Sequence, residues 1–139
     1  MSFKRIALLA GVAALLPVAA LAAHGKAGLW SSTTTVDMKG MPSQTRTTTY
    51  CMTPAEVNSD APSNRNPDCK YQNVQVSGQS FSADMVCTGQ FNATGHFQST
   101  YDSDTHYTAT IAMNTSGMSM TNRIEGKWLK ADCAGAAHP

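Results

Sequence analysis

The chain has 139 residues, with ten lysines and arginines against nine aspartates and glutamates, and 42% of it is hydrophobic. That length specifies one domain. The near balance of charge, with no basic cluster or aromatic-interleaved basic stripe, excludes electrostatic binding to nucleic acid or an anionic membrane.

In chain order, Lys4 and Arg5 form a positive start, residues 6–16 an apolar run, and Ala20-Leu21-Ala22 a small-x-small cleavage site. These features predict a secretory signal peptide over residues 1–22, with cleavage after Ala22 or Ala23. The run is too short for a membrane span, so no transmembrane segment is expected after its removal. The mature domain, 23–139 with a core over about 28–133, is expected to be periplasmic or secreted. All four cysteines, Cys51, Cys69, Cys87 and Cys133, lie in it. An even count in a small exported domain predicts two disulfides. No CxxC motif or zinc-finger Cys/His spacing occurs, which disfavours a structural metal or a thioredoxin-like redox role.

Residues 29–38 alternate, with Trp30, Val36 and Met38 on one face and Ser31, Thr33, Thr35 and Asp37 on the other, and predict a first strand. Lys39-Gly40-Met41-Pro42 breaks it, and the Thr-rich residues 45–51 resume as an exposed second strand. Thr53-Pro54-Ala55-Glu56 combines a cap, a first-turn proline and a glutamate three residues after the cap, and predicts one helical turn. Residues 58–68 are polar and Pro-containing, and predict a long surface loop.

From Lys70 to Trp128 the turns specify an antiparallel meander. A Gly78-Gln79 turn sets Val76 against Phe81 and Val74 against Ala83. A three-residue loop at Thr88-Gly89-Gln90 sets Cys87 against Phe91, Met85 against Ala93 and Phe81 against Phe97. A turn at Asp104 pairs Tyr101 with Tyr107, Phe97 with Ile111 and Gly95 with Met113. A Ser116-Gly117 turn pairs Met113 with Met120, Ala109 with Ile124 and Tyr107 with Gly126. All four turns agree on one inward face that mixes large and small side chains, as a sheet closing on itself requires. The expected fold is all-β: a small antiparallel barrel of about seven strands in an up-and-down meander, with a two-sheet β-sandwich as the alternative.

The register also orders the cysteines. Cys69 and Cys87 lie symmetrically about the Gly78-Gln79 turn, within bonding range at the open end of a hairpin. Antiparallel pairing of the first and last strands would bring Cys51 to Cys133. That connectivity is favoured over Cys51–Cys69 with Cys87–Cys133, and each bridge is worth about 3 kcal/mol.

The motifs Gly28-x-Trp30, Met38-Lys39-Gly40-Met41-Pro42, Cys51-Met52-Thr53-Pro54, Asp68-Cys69, Cys87-Thr88-Gly89, Met118-x-Met120 and Gly126-Lys127-x-Leu129 before Cys133 occur in that order. The chain thereby resembles the exported bacterial family catalogued as domain of unknown function 3617, over about residues 28–133. It departs at Lys130-Ala131-Asp132, where similar proteins carry a glycine shortly before the last cysteine. The resemblance implies an uncharacterised bacterial envelope protein and supplies no catalytic residues.

Chemistry in the sequence is sparse. No G-x-S-x-G, no H-E-x-x-H and no paired carboxylates in an apolar setting occur, and Asp84 and Glu125 fall on the outward face, so no enzyme is expected. His96 and His106 are outward and about six residues, roughly 20 Å, apart, which excludes shared ligation; His138 lies in a Gly/Ala tail. Two readings follow. One is a non-enzymatic binding or interaction module for a small apolar ligand or an envelope protein partner, with Trp30, Met38, Met41 and Met52 as contact candidates. The alternative is copper handling through Met38, Met41, Met118, Met120 and His24, because thioethers suit Cu(I). Methionine as an adaptable core filler is the competing explanation of that pattern.

Overall fold

A computed structural model describes residues 25–58, 67–89 and 92–136. The predicted signal segment, His24, Phe91, His138 and most of the predicted 58–68 loop lie outside the described residues. Seven strands form: β1 (Gly28–Met38), β2 (Gln44–Met52), β3 (Cys69–Ser77), β4 (Ser80–Cys87), β5 (Ala93–Ser103), β6 (His106–Thr115) and β7 (Met118–Lys130). A single helical turn, α1 (Pro54–Val57), follows β2. It carries the full capping box: the Glu56 amide donates to Thr53 Oγ1 at 3.2 Å, and the Thr53 amide donates to Glu56 Oε2 at 2.7 Å.

All pairings are antiparallel and the strands lie in one sheet, in the order β2-β1-β7-β6-β5-β4-β3. The first strand closes against the last, as Trp30 opposite Trp128 and Met38 opposite Met120 demonstrate. The ladder is not closed into a continuous barrel, because β2 and β3 are its two edges.

The predicted register holds across β5, β6 and β7, from Tyr101–Tyr107 to Met113–Met120. Between β4 and β5 it is corrected by two residues: Cys87 lies opposite Ala93, Met85 opposite Gly95 and Ala83 opposite Phe97. A shift of two leaves every side chain on its original face, so alternation cannot detect it. What sets it is a longer β4–β5 connection, at whose start the Thr88 amide donates to Asp68 O at 2.8 Å. In β3 a bulge between Gln72 and Gln75 places Asn73, at φ 50°, in the left-handed region beside Val74. Asn73 there donates through Nδ2 to Asp84 at 2.7 Å on the outer face.

Both favoured disulfides form. Cys51–Cys133 has a Cα separation of 5.3 Å and joins residues 82 apart; Cys69–Cys87 has a Cα separation of 3.9 Å and joins residues 18 apart. Cys51 lies opposite Leu29, which is buried on the outer face. The chain after β7 returns over that corner, where the Thr49 hydroxyl donates to Gly135 O at 2.9 Å. The other bridge belongs to a small inner cluster of Cys69, Met85, Cys87 and Ala93, against which Tyr71, Ile111 and Met113 pack.

Candidate functional site

The inward face is built rung by rung from facing strand positions. Tyr50, Trp30 and Trp128 form one rung, and Thr48, Ser32, Gly126, Tyr107 and Tyr101 the next. Arg46, Thr34, Ile124, Ala109, Ser99 and Phe81 follow, then Val36, Asn122, Ile111, Phe97 and Ala83, and last Met38, Met120, Met113, Gly95 and Met85. From the Trp30 rung to the Met38 rung the face runs about 26 Å at the usual rise per residue.

At the first two rungs the sheet curls sharply. Tyr50 and Tyr107 belong to strands three steps apart, roughly 14 Å in a flat sheet, yet their hydroxyls meet at 3.1 Å. Trp30 is wholly buried, with ring centroids 5.6 Å from Tyr107 and 6.3 Å from Tyr101. Gly126 makes the curl feasible, since a Cβ there would sit inside the Tyr107 ring. The indole N–H groups are anchored as well: Trp30 Nε1 donates to Lys26 O at 2.8 Å and Trp128 Nε1 to Ala27 O at 3.1 Å. Burial, reinforced by Tyr107, pushes the Tyr101 hydroxyl pKa upward. Trp30, a contact candidate from the sequence, is therefore a closing residue of this end and is not open to a partner.

Beyond those rungs the face is closed on its β4 side, where Phe81, Ala83, Met85, Ser99 and Ala109 are buried. Toward β1 and β2 it opens: Val36, Phe97, Ile111 and Ile124 are only half-buried, which leaves an apolar trough whose β2 rim is polar through Gln44, Arg46 and Thr48. In its floor lies Asn122, opposite Val36 on one side and Ile111 on the other. Its Oδ1 is shielded from solvent and has no hydrogen-bond partner among the described residues. A shielded amide oxygen without a partner costs about 1–3 kcal/mol; a donor brought by a bound molecule would reach it once the side chains covering it part, and would be favourable there. The sequence reading missed Asn122; the signal available was a lone amide at an inward position of β7.

The methionines divide. Met38 and Met120 are direct cross-strand partners, and Met41 and Met118 are 51% and 62% exposed at the same end of the sheet. Inward parity alone does not make Met118 a core residue. Met52 lies opposite Gly28 at the other end, so it is not brought to this group.

The outer face carries the ionic groups. His106 Nδ1 is 2.7 Å from Asp102, and its Nε2 is 3.1 Å from Glu125, which also meets Lys127 at 3.1 Å. The Glu125 and Asp102 carboxylates raise the His106 pKa, while His106 and Lys127 hold Glu125 below its ordinary value. His96 pairs separately with Asp84 at 2.9 Å. Asn73 and His96 hydrogen bonds hold the Asp84 carboxyl below its ordinary value. The two histidines therefore belong to separate ion pairs on the outer face. Among the described residues no group of three or more His, Cys, Asp or Glu side chains is placed to hold a metal, and no helix is long and apolar enough to cross a membrane.

Compared with known proteins, the chain matches the family model described as protein of unknown function (DUF3617), over residues 25–133. No curated protein and no solved structure matches it.

Proposed function

This chain belongs to the DUF3617 family of proteins of unknown function, and we propose that it is a non-enzymatic exported binding module. Its ligand is a small, largely apolar molecule bearing one hydrogen-bond donor, held along the inward face. Two disulfides suit the oxidising envelope compartment that the predicted signal peptide specifies. The observation that carries the reading is the shielded, unpartnered Asn122 Oδ1 in the floor of an apolar trough. Apolar walls with a few placed polar groups are the usual composition of a small-molecule site. The curl that brings Tyr50 to Tyr107 makes this face concave and closed at one end, a shape that suits a slender molecule better than the surface of an envelope protein.

The test uses 1-dodecanol, an apolar chain with one hydroxyl. Dodecanol at a hundredfold excess over its Kd stabilises the mature protein by about 2.7 kcal/mol, read as a rise in Tm. Ile111→Glu removes the effect, and Asn122→Val weakens binding of dodecanol while leaving affinity for an alkyl probe without a donor unchanged. Native mass spectrometry of protein taken from its own envelope then finds a small-molecule adduct. An unmoved Tm with dodecanol together with an adduct-free mass overturns the proposal; a co-purifying protein in place of a small molecule assigns the face to an envelope partner instead.

A further inference from the structure

At the far rung, β1 ends at Met38 and β7 begins at Met118, and antiparallel pairing sets Met38 opposite Met120. The chain leaving β1 and the chain entering β7 therefore emerge at the same end of the sheet. Met41 stands in the first of these turns, with its amide donating to Met38 O at 3.1 Å. Met118 lies two residues before Met120 and shares its face. Half of the eight methionines are thus gathered at one corner.

Core filling explains Met85 and Met113, which belong to or pack against the inner cluster. It does not explain Met41 and Met118, which are 51% and 62% exposed. The turn sequences are Lys39-Gly40-Met41-Pro42 and Ser116-Gly117-Met118-Ser119, so methionine is the large apolar residue in both, with no leucine, isoleucine or aromatic beside it. A surface meant only to bury apolar area has no need for sulfur. A flexible thioether, by contrast, is a soft ligand that can turn toward a neighbouring one.

We propose that Met38, Met41, Met118 and Met120 form a thioether site for a soft monovalent cation, Cu(I). Met38 and Met120 supply the fixed half, because directly opposed strand positions hold their Cβ atoms about 5 Å apart. Met41 and Met118 supply the movable half from the two turns. Neither turn contains a carboxylate or an imidazole. The nearest charges are Lys39 in the turn and the Asp37–Arg123 pair, 2.8 Å apart on the outer face. An all-thioether set disfavours Cu(II) and Zn(II), which prefer nitrogen, oxygen or thiolate donors. It also has no proton to lose, so binding does not depend on pH as binding to imidazole or thiolate does. The site is at the opposite end of the face from the aromatic rungs and does not rest on the apolar-ligand reading.

The experiment is an anaerobic Cu(I) titration of the mature, disulfide-bonded protein against a chromophoric Cu(I) chelator. Binding is expected with one ion per chain and equal affinity at about pH 5.5 and about pH 7.5. Replacing both ligands that are more than half exposed, Met41→Ser with Met118→Ser, weakens binding at least roughly tenfold. Met38→Leu with Met120→Leu keeps side-chain volume and abolishes binding, whereas Met85→Leu, inside the buried cluster, leaves it unchanged. Undiminished affinity in the Met41/Met118 double variant, or affinity that falls with acidification, overturns the site.

Discussion

The two ends of the inward face are made from the same strands and differ in what their side chains do with the space between them. At the Trp30 end, large rings reach across the curl and hydrogen-bond to one another or to the backbone, and a disulfide fastens the outer corner. At the Met38 end, unbranched side chains line an open rim and two of them are more than half exposed. One sheet thus closes its Trp30 end with aromatic rings, while at the other end the β1–β7 corner stays open beside the buried Cys69–Cys87 cluster. Curvature is the cause: Gly126 lets the Tyr107 ring lie against the sheet, whereas Gly95 in the methionine rung admits only the Met113 side chain and the Ala112 backbone.

Substitutions that act at one end only would sharpen that contrast. The largest loss is expected from Cys51→Ser with Cys133→Ser. Its 82-residue separation gives about 4.5 kcal/mol in the loop-entropy account, against about 3 kcal/mol for the 18-residue Cys69–Cys87 bridge. Urea unfolding of the two double variants reads the difference directly, and equal losses would break the assignment of the Trp30 corner as the stronger clamp. Trp30→Ala follows at roughly 3–5 kcal/mol, the cost of emptying a fully buried indole site, while Met38→Leu at the open rim costs less than about 1.5 kcal/mol. A Met38→Leu loss as large as that of Trp30→Ala would abolish the distinction between the ends. Tyr50→Phe removes the hydroxyl contact across the curl and costs about 1 kcal/mol, measurable as a shift in the urea midpoint without a change in slope.

The smallest effect lies on the outer face and tests whether its ion pairs belong to the same framework. The folded-state pKa of His106 is raised above its ordinary 6.5. Its contribution is therefore fully present below about that pH and is lost as pH rises through the folded value. Glu125 is held below its ordinary 4.5, so its contribution is present above that pH and is lost as pH falls through the folded value. Stability should be greatest between the two. His106→Gln should flatten the alkaline limb of a Tm-against-pH profile, by less than the Tyr50→Phe effect because the partners are exposed. An alkaline limb unchanged in that variant would assign the pH dependence elsewhere.

Much of this architecture is legible in the chain. Alternation through β4 to β7 marks one buried face, and turn residues such as Gly78 and Ser116-Gly117 mark where it reverses. The capping box at Thr53 and Glu56 is read from four residues, because each of its bonds is local. The β4–β5 register was not legible to the same depth: a slip of two preserves the inward set, and only the packing around Asp68 and Thr88 distinguishes the alternatives. The candidate binding face was harder still, since nothing about Asn122 in the sequence tells whether its amide finds a partner.

What the sequence determined by itself is whatever rests on period and proximity: an all-β meander, the strands, the faces, and a cysteine order compatible with two clamps. What the tertiary structure decided rests on how far the sheet bends. Bending brings Tyr50 to Tyr107 and buries Trp30 at one end, while the sheet stays unclosed between β2 and β3 and leaves half-buried apolar side chains beyond the aromatic rungs. Strand pairing is a local sum of hydrogen bonds, whereas curvature depends on side chains several strands apart. For that reason the alternating pattern predicts the rungs and only the folded sheet shows which of them meet.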